Sequence, residues 1–114
     1  MTSDNAAQKI PKLLRRLGVA ENYTGFPYAV YAVQLSISDP SRLRLITKLI
    51  YPDVARQYGT TSQRVERNIR TVSAAAWENN PALLIRLAGC SLNRRPKNSR
   101  FLAILADACV QDNT

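Results

Sequence analysis

The chain has 114 residues, 46% of them hydrophobic, which fits one domain around one core. Sixteen Lys+Arg against eight Asp+Glu give a formal charge of +8 and a pI near 10.1, a long-range attraction for polyanions. With no histidine, two cysteines outside any metal-ligand spacing, and "YAVYAV" as its longest apolar run, the sequence excludes a zinc site and a membrane span. The N-terminus "MTSDNAAQKI" lacks a signal-peptide pattern, so a cytoplasmic home with reduced thiols is expected. No cofactor is implied.

Start and stop signals divide the chain into about six helical segments with little that reads as strand, so the expected class is all-α. Residues 1–8 read as a flexible lead-in and 9–112 as the helical domain. The first helix is expected from about Ile10–Pro11, where proline's missing N–H costs nothing, to just before Gly18, with Leu13, Leu14 and Leu17 as its apolar face. A second runs from about Gly25 or Phe26 to Ser38; its β-branched residues make strand a competitor, and its length favours helix. "SDPSRLRLITKLI" opens with Asp39 as cap followed by Pro40, and puts Leu43, Ile46 and Ile50 on one face of a third helix. "YPDVARQYG" repeats the start signal, with Pro52 at the first helical position, Asp53 near the positive end of the dipole and Gly59 as the stop. The next helix begins at Thr60–Thr61, where Thr60 and Gln63 form a capping box, and continues through Trp77. Asn80–Pro81 starts "PALLIRLAG", which Gly89 ends; after a basic turn, Asn98 or Ser99 caps a last apolar helix. Trp77, Phe101 and Tyr58 sit in apolar contexts and read as core.

The stretch 51–77 carries the sharpest pattern. Two helices joined by a tight turn need a small residue where their backbones approach, a glycine able to take positive φ, and a branched apolar anchor on the second helix. Ala55, Gly59 and Val65 have those spacings, which gives a helix-turn-helix without a wing. At ~100° per residue, Val65, Ile69, Val72 and Ala76 form the buried stripe, and Gln63, Arg64, Glu66, Arg67 and Arg70 fan over the opposite half. Arginine pairs with guanine O6 and N7, glutamate accepts from cytosine N4 and glutamine pairs with adenine, so these five are candidate base contacts of a helix in the major groove. Glu66 has a second reading as the i,i+4 ion-pair partner of Arg70, and Gln63 divides between the cap and a base. Thr60, Thr61 and Ser62 stand where hydroxyls and helix N-terminal N–H groups hold a phosphate, and Lys48 and Arg95 are candidate phosphate contacts that carry no sequence information.

At "LIYPDVARQYGTTSQRVERNIRTVSAAAW" the sequence resembles the DNA-binding effector domain of the stage-zero sporulation protein A family of sporulation initiation response regulators. The family's recognition-helix core, R-V-E-R-x-I-R, is matched by Arg64, Val65, Glu66, Arg67, Ile69 and Arg70. The likeness extends to "ITKLIYPD", "RPKNSRFLAILAD" and, more weakly, "IPKLLRRLGV". It implies a domain of about six helices that binds duplex DNA through the helix-turn-helix, with Arg64, Glu66, Arg67 and Arg70 carrying base and nearby backbone contacts. It also adds a tandem second copy on DNA and RNA polymerase to the expected partners. Three departures stand out: Gln63 replaces a small hydroxyl residue, the connection from Trp77 to Pro96 is a few residues shorter, and Arg100 replaces an acid. The family protein carries a receiver domain and linker upstream, whereas here Met1 stands a few residues before the first expected helix. The sequence therefore reads as a piece of a longer chain or as a stand-alone relative not switched by phosphorylation.

The expected function is sequence-specific double-stranded DNA binding by a transcription regulator. The competing class is a stand-alone helical protein- or RNA-interaction domain, although RNA readers usually expose aromatic side chains for stacking. An enzyme is disfavoured: there is no glycine-rich phosphate loop, no nucleophile–base constellation and no paired carboxylates among the eight acids.

Overall fold

The computed structural model describes residues 2–111, with side chains from Ala6 onward, and every regular element in that span is helical. Seven α-helices follow one another: α1 (Thr2–Arg16), α2 (Gly25–Ser38), α3 (Ile46–Leu49), α4 (Tyr51–Tyr58), α5 (Ser62–Asn79), α6 (Pro81–Ala88) and α7 (Asn98–Gln111). A 3₁₀ segment, Pro40–Leu45, precedes α3. The core gathers on α2, which packs against α1, α4, α5 and α7.

Helix α1 starts at Thr2 and not at Ile10–Pro11, so Pro11 lies inside it. The apolar stripe explains the extension: Ala6, Ile10, Leu13, Leu14 and Leu17 recur at helical spacing and are all buried. Burial of that face outweighs the ~3 kcal/mol that an interior proline costs. The segment 2–8, expected to precede the domain, thus continues its first helix.

The third expected helix is broken. Asp39 does cap its start, its carboxylate accepting from the Ser41 N–H at 3.2 Å and from the Ser41 hydroxyl at 2.6 Å. Those contacts, the hydroxyl's first, hold the Asp39 carboxyl below the ordinary aspartate range. The backbone then leaves helical geometry at Leu45 (φ −142°, ψ 67°). In a straight helix the Arg42 side chain would lean back toward the N-terminus. The break instead lets it reach forward, donating to the Leu49 carbonyl and to Asp53 Oδ2 at 2.6 Å. Asp53 also holds Arg56, so one carboxylate ties this segment to the first turn of α4.

Two local features of 51–77 match the expected geometry. Gly59 ends α4 at φ 63° in the left-handed region, and the Thr60 N–H reaches the Ala55 carbonyl at 2.9 Å. Val65, Ile69, Val72 and Ala76 are all fully buried. Tyr58 is a correction: it is 42% exposed rather than core. As the last residue of α4 it lays its ring against Tyr28 (centroids 5.3 Å apart) and Tyr31 (6.2 Å), bridging α4 to the outer side of α2.

Candidate nucleic-acid interface

The cap of α5 is Thr61, not Thr60. Thr61 is extended (φ −108°, ψ 154°) and its Oγ1 accepts from the Arg64 N–H at 3.2 Å. The box expected between Thr60 and Gln63 is therefore absent, because the turn after Gly59 consumes one more residue than the spacing suggested. Gln63 is released from capping and stands exposed. Thr61→Ala should lower stability by ~1 kcal/mol, and Thr60→Ala by less than ~0.5 kcal/mol, in urea unfolding followed by circular dichroism.

Beyond the cap, Gln63, Arg64, Glu66, Arg67 and Arg70 line one concavity together with Thr61. All five candidate base-contact residues are thus gathered on one face, opposite the buried stripe. Glu66 Oε2 accepts from Arg70 Nη1 at 2.8 Å. With both side chains partly solvent-exposed, this i,i+4 pair contributes only ~0.2–0.5 kcal/mol. It orients Arg70 without committing either group.

The candidate phosphate contacts are more dispersed. Thr61 lies in the concavity, Ser62 opens α5 half-buried, and Thr60 sits half-buried in the turn. Lys48 is exposed on α3, outside both the concavity that holds Thr61 and the cavity that holds Arg95. Arg95 lies in a neighbouring cavity that also touches Glu66 and Arg70. Its Nη1 donates to the Pro96 carbonyl at 3.2 Å and to Ser73 Oγ at 3.5 Å, which fixes the loop before α7 against the middle of α5.

Asn98 is a second correction. It is the first residue of α7, and the cap position falls to Lys97, whose carbonyl accepts from the Phe101 N–H at 2.8 Å. The buried Asn98 amide instead donates to Tyr51 Oη at 3.0 Å and to the Glu66 carbonyl at 3.1 Å. One side chain thereby locks α7 and the start of α4 to the turn of α5 that carries Glu66. The sequence signal, an asparagine just before an apolar run, points equally to a cap and hides this clamp. Tyr51 is itself buried, and that burial, only partly opposed by the Asn98 bond, raises its hydroxyl pKa above the usual value near 10. The unfolded chain therefore ionises first: Tyr51's contribution is complete below about pH 10 and is lost as pH rises through the higher folded value. Urea midpoints measured across the alkaline range should fall more steeply for the natural chain than for Tyr51→Phe.

These features define a class: an all-helical domain in which α4 and α5, joined by the tight Gly59 turn, carry a cationic outer face. Residues 10–109 match the family described as Sporulation initiation factor Spo0A C terminal. The chain belongs to that family of DNA-binding regulatory domains, the effector part of a sporulation response regulator, and duplex DNA is its partner class. Among the described residues no helix is long and apolar enough to cross a membrane.

Proposed function

We propose that the domain regulates transcription by reading a specific duplex site with the N-terminal half of α5 laid in the major groove. The observation that carries this reading is the gathering of Gln63, Arg64, Glu66, Arg67 and Arg70 on one exposed face of a helix whose other face is buried. Arg64, Arg67 and Arg70 offer forks for guanine, Gln63 an amide for adenine, and Glu66 an acceptor for cytosine N4. Glu66 can stay paired to Arg70 in the free protein and accept from a base in the complex, because the pair is weak. The α5 N-terminus, with Thr60, Thr61 and Ser62, holds a phosphate, and Lys48 and Arg95 hold flanking phosphates that set register. A tandem second copy on adjacent sites and RNA polymerase are the further partners in this proposal.

Selection of bound sequences from random duplex DNA, repeated at several salt concentrations, tests it. A consensus should emerge and sharpen as salt rises, since phosphate contacts weaken with salt for every sequence. Lys48→Ala should weaken all sequences alike and reduce the salt slope by about one. Equal binding of single strands and duplex, with no consensus, would overturn the reading.

A further inference from the structure

At the other end of the domain lies a surface that DNA reading does not use. Fifteen residues of α5 separate Arg64 from Asn79, about 22 Å at ~1.5 Å per residue. There the Asn79 and Asn80 side-chain amides donate to the carbonyls of Gly18 and Arg16, so the end of α1 is fixed far from the arginine face.

Two grooves open on this side along α7. One, about 470 Å³, is mostly apolar, with Ile37, Leu43, Leu87 and the 48%-exposed Val110 among its walls. The other, about 450 Å³, carries Lys9, Lys12, Arg16 and Arg86 around a floor that includes Leu13 and Ala108. Both are in the size range of binding sites. Leu87 and Asp107 line both grooves, so they adjoin and form one surface, apolar at one end and cationic at the other.

The charge there is unbalanced. Among the described residues no carboxylate pairs with Lys12, Arg16 or Arg86, whereas the neighbouring Arg15 is taken by Glu21. Among the described residues Asp107 is the one acid that lines the surface, and its carboxylate accepts from Gln111 Nε2 at 3.1 Å.

We propose that this joined groove docks an acidic amphipathic helix of another protein, with its apolar residues against Leu43 and Leu87 and its carboxylates on Lys12, Arg16 and Arg86. Such helices bury an apolar face in a groove and use rim charges for orientation and partner choice. A second copy of this chain fits poorly: each copy carries +8, and among the described residues no helix holds more than two acidic residues. Nucleic acid would match the cations but leave the apolar end without a partner.

The surface is separate from the DNA-reading face, so its test is independent of that proposal. The probe is a fluorescein-labelled synthetic peptide with leucines at i, i+3, i+4 and i+7 and glutamates elsewhere, compared with a scramble of the same composition. Its anisotropy is followed on the intact protein with and without saturating duplex DNA. The amphipathic peptide should bind and the scramble bind at least ~10-fold more weakly, with DNA leaving the peptide's affinity within ~2-fold. Lys12→Glu with Arg86→Glu should weaken it ~10-fold or more, and Val110→Asp should weaken it further. Arg64→Glu with Arg67→Glu, the same change in net charge at the far end, should cost less than ~3-fold. All five substituted residues are exposed, so thermal midpoints of the variants should stay close to that of the natural protein. Equal binding of the scramble, equal loss from the two charge-reversed pairs, or displacement of the peptide by DNA would overturn the proposal. So would labelled duplex DNA whose binding is lost with the Lys12 and Arg86 pair rather than the Arg64 and Arg67 pair.

Discussion

Gly25→Ala should destabilise the domain by about 2–3 kcal/mol, seen as a lower urea midpoint, and should weaken DNA binding in the fraction that remains folded. A Cβ at Gly25 would lie 2.3 Å from the Asn68 carbonyl oxygen, 2.7 Å from its carbon and 2.9 Å from Val72 Cγ2. The first two are backbone atoms in the middle of α5 and cannot rotate aside, so α2 or α5 must shift. Overpacking of this kind costs ~1–3 kcal/mol, sometimes more. Alanine's better helix propensity offsets less than ~1 kcal/mol of that, because Gly25 is the first residue of α2. Asn68 stands between Arg67 and Ile69, so the displaced turn is one that presents the arginine face. A Gly25→Ala protein with an unchanged midpoint would show that the two helices do not approach as closely as the geometry requires.

Gly25 also marks the boundary of what local pattern reveals. Val65, Ile69, Val72 and Ala76 could be placed by periodicity alone, and Gly59 by its stop signal, because each depends on neighbours within one or two turns. Gly25 depends on Asn68, and Asn98 on Tyr51 and Glu66, contacts across the fold that no short window contains. The same holds for α1, where burial of Ala6 and Ile10 in the assembled core carries the helix back through Pro11. The 3₁₀ segment was hidden for a related reason. Leu43, Ile46 and Ile50 do fit one helical face, but the reach of Arg42 to Leu49 and Asp53 demands a break that the apolar pattern does not encode. For the candidate interface, the five side chains followed from helical angle. The cap did not, since Thr60 and Thr61 offer the same chemistry and only the length of the turn after Gly59 distinguishes them.

That cap makes Arg64 a clean position at which to separate base from phosphate contact. Its N–H is held by Thr61 Oγ1 and its carbonyl accepts from Asn68 Nδ2 at 2.8 Å, so the backbone is fixed at both ends while the exposed side chain is free to be truncated. Arg64→Ala should therefore change stability by less than ~0.5 kcal/mol. On the selected site it should cost ~1–3 kcal/mol, roughly 5- to 150-fold in affinity, while binding to unrelated duplex falls much less. Repeating the selection with the variant should relax one base position and leave the rest of the consensus intact. The salt dependence decides the remaining ambiguity: losing a base contact leaves the slope nearly unchanged, whereas losing a phosphate contact lowers it by about one for every sequence. Glu66→Gln supplies the complementary case. It removes a pair worth ~0.2–0.5 kcal/mol in the free protein, so a larger loss confined to one base step would mean that the acid among the arginines acts on DNA rather than on Arg70 alone. If Arg64→Ala weakens all sequences equally, Arg64 belongs with Lys48 and Arg95, and sequence reading must rest on Arg67, Arg70 and Glu66.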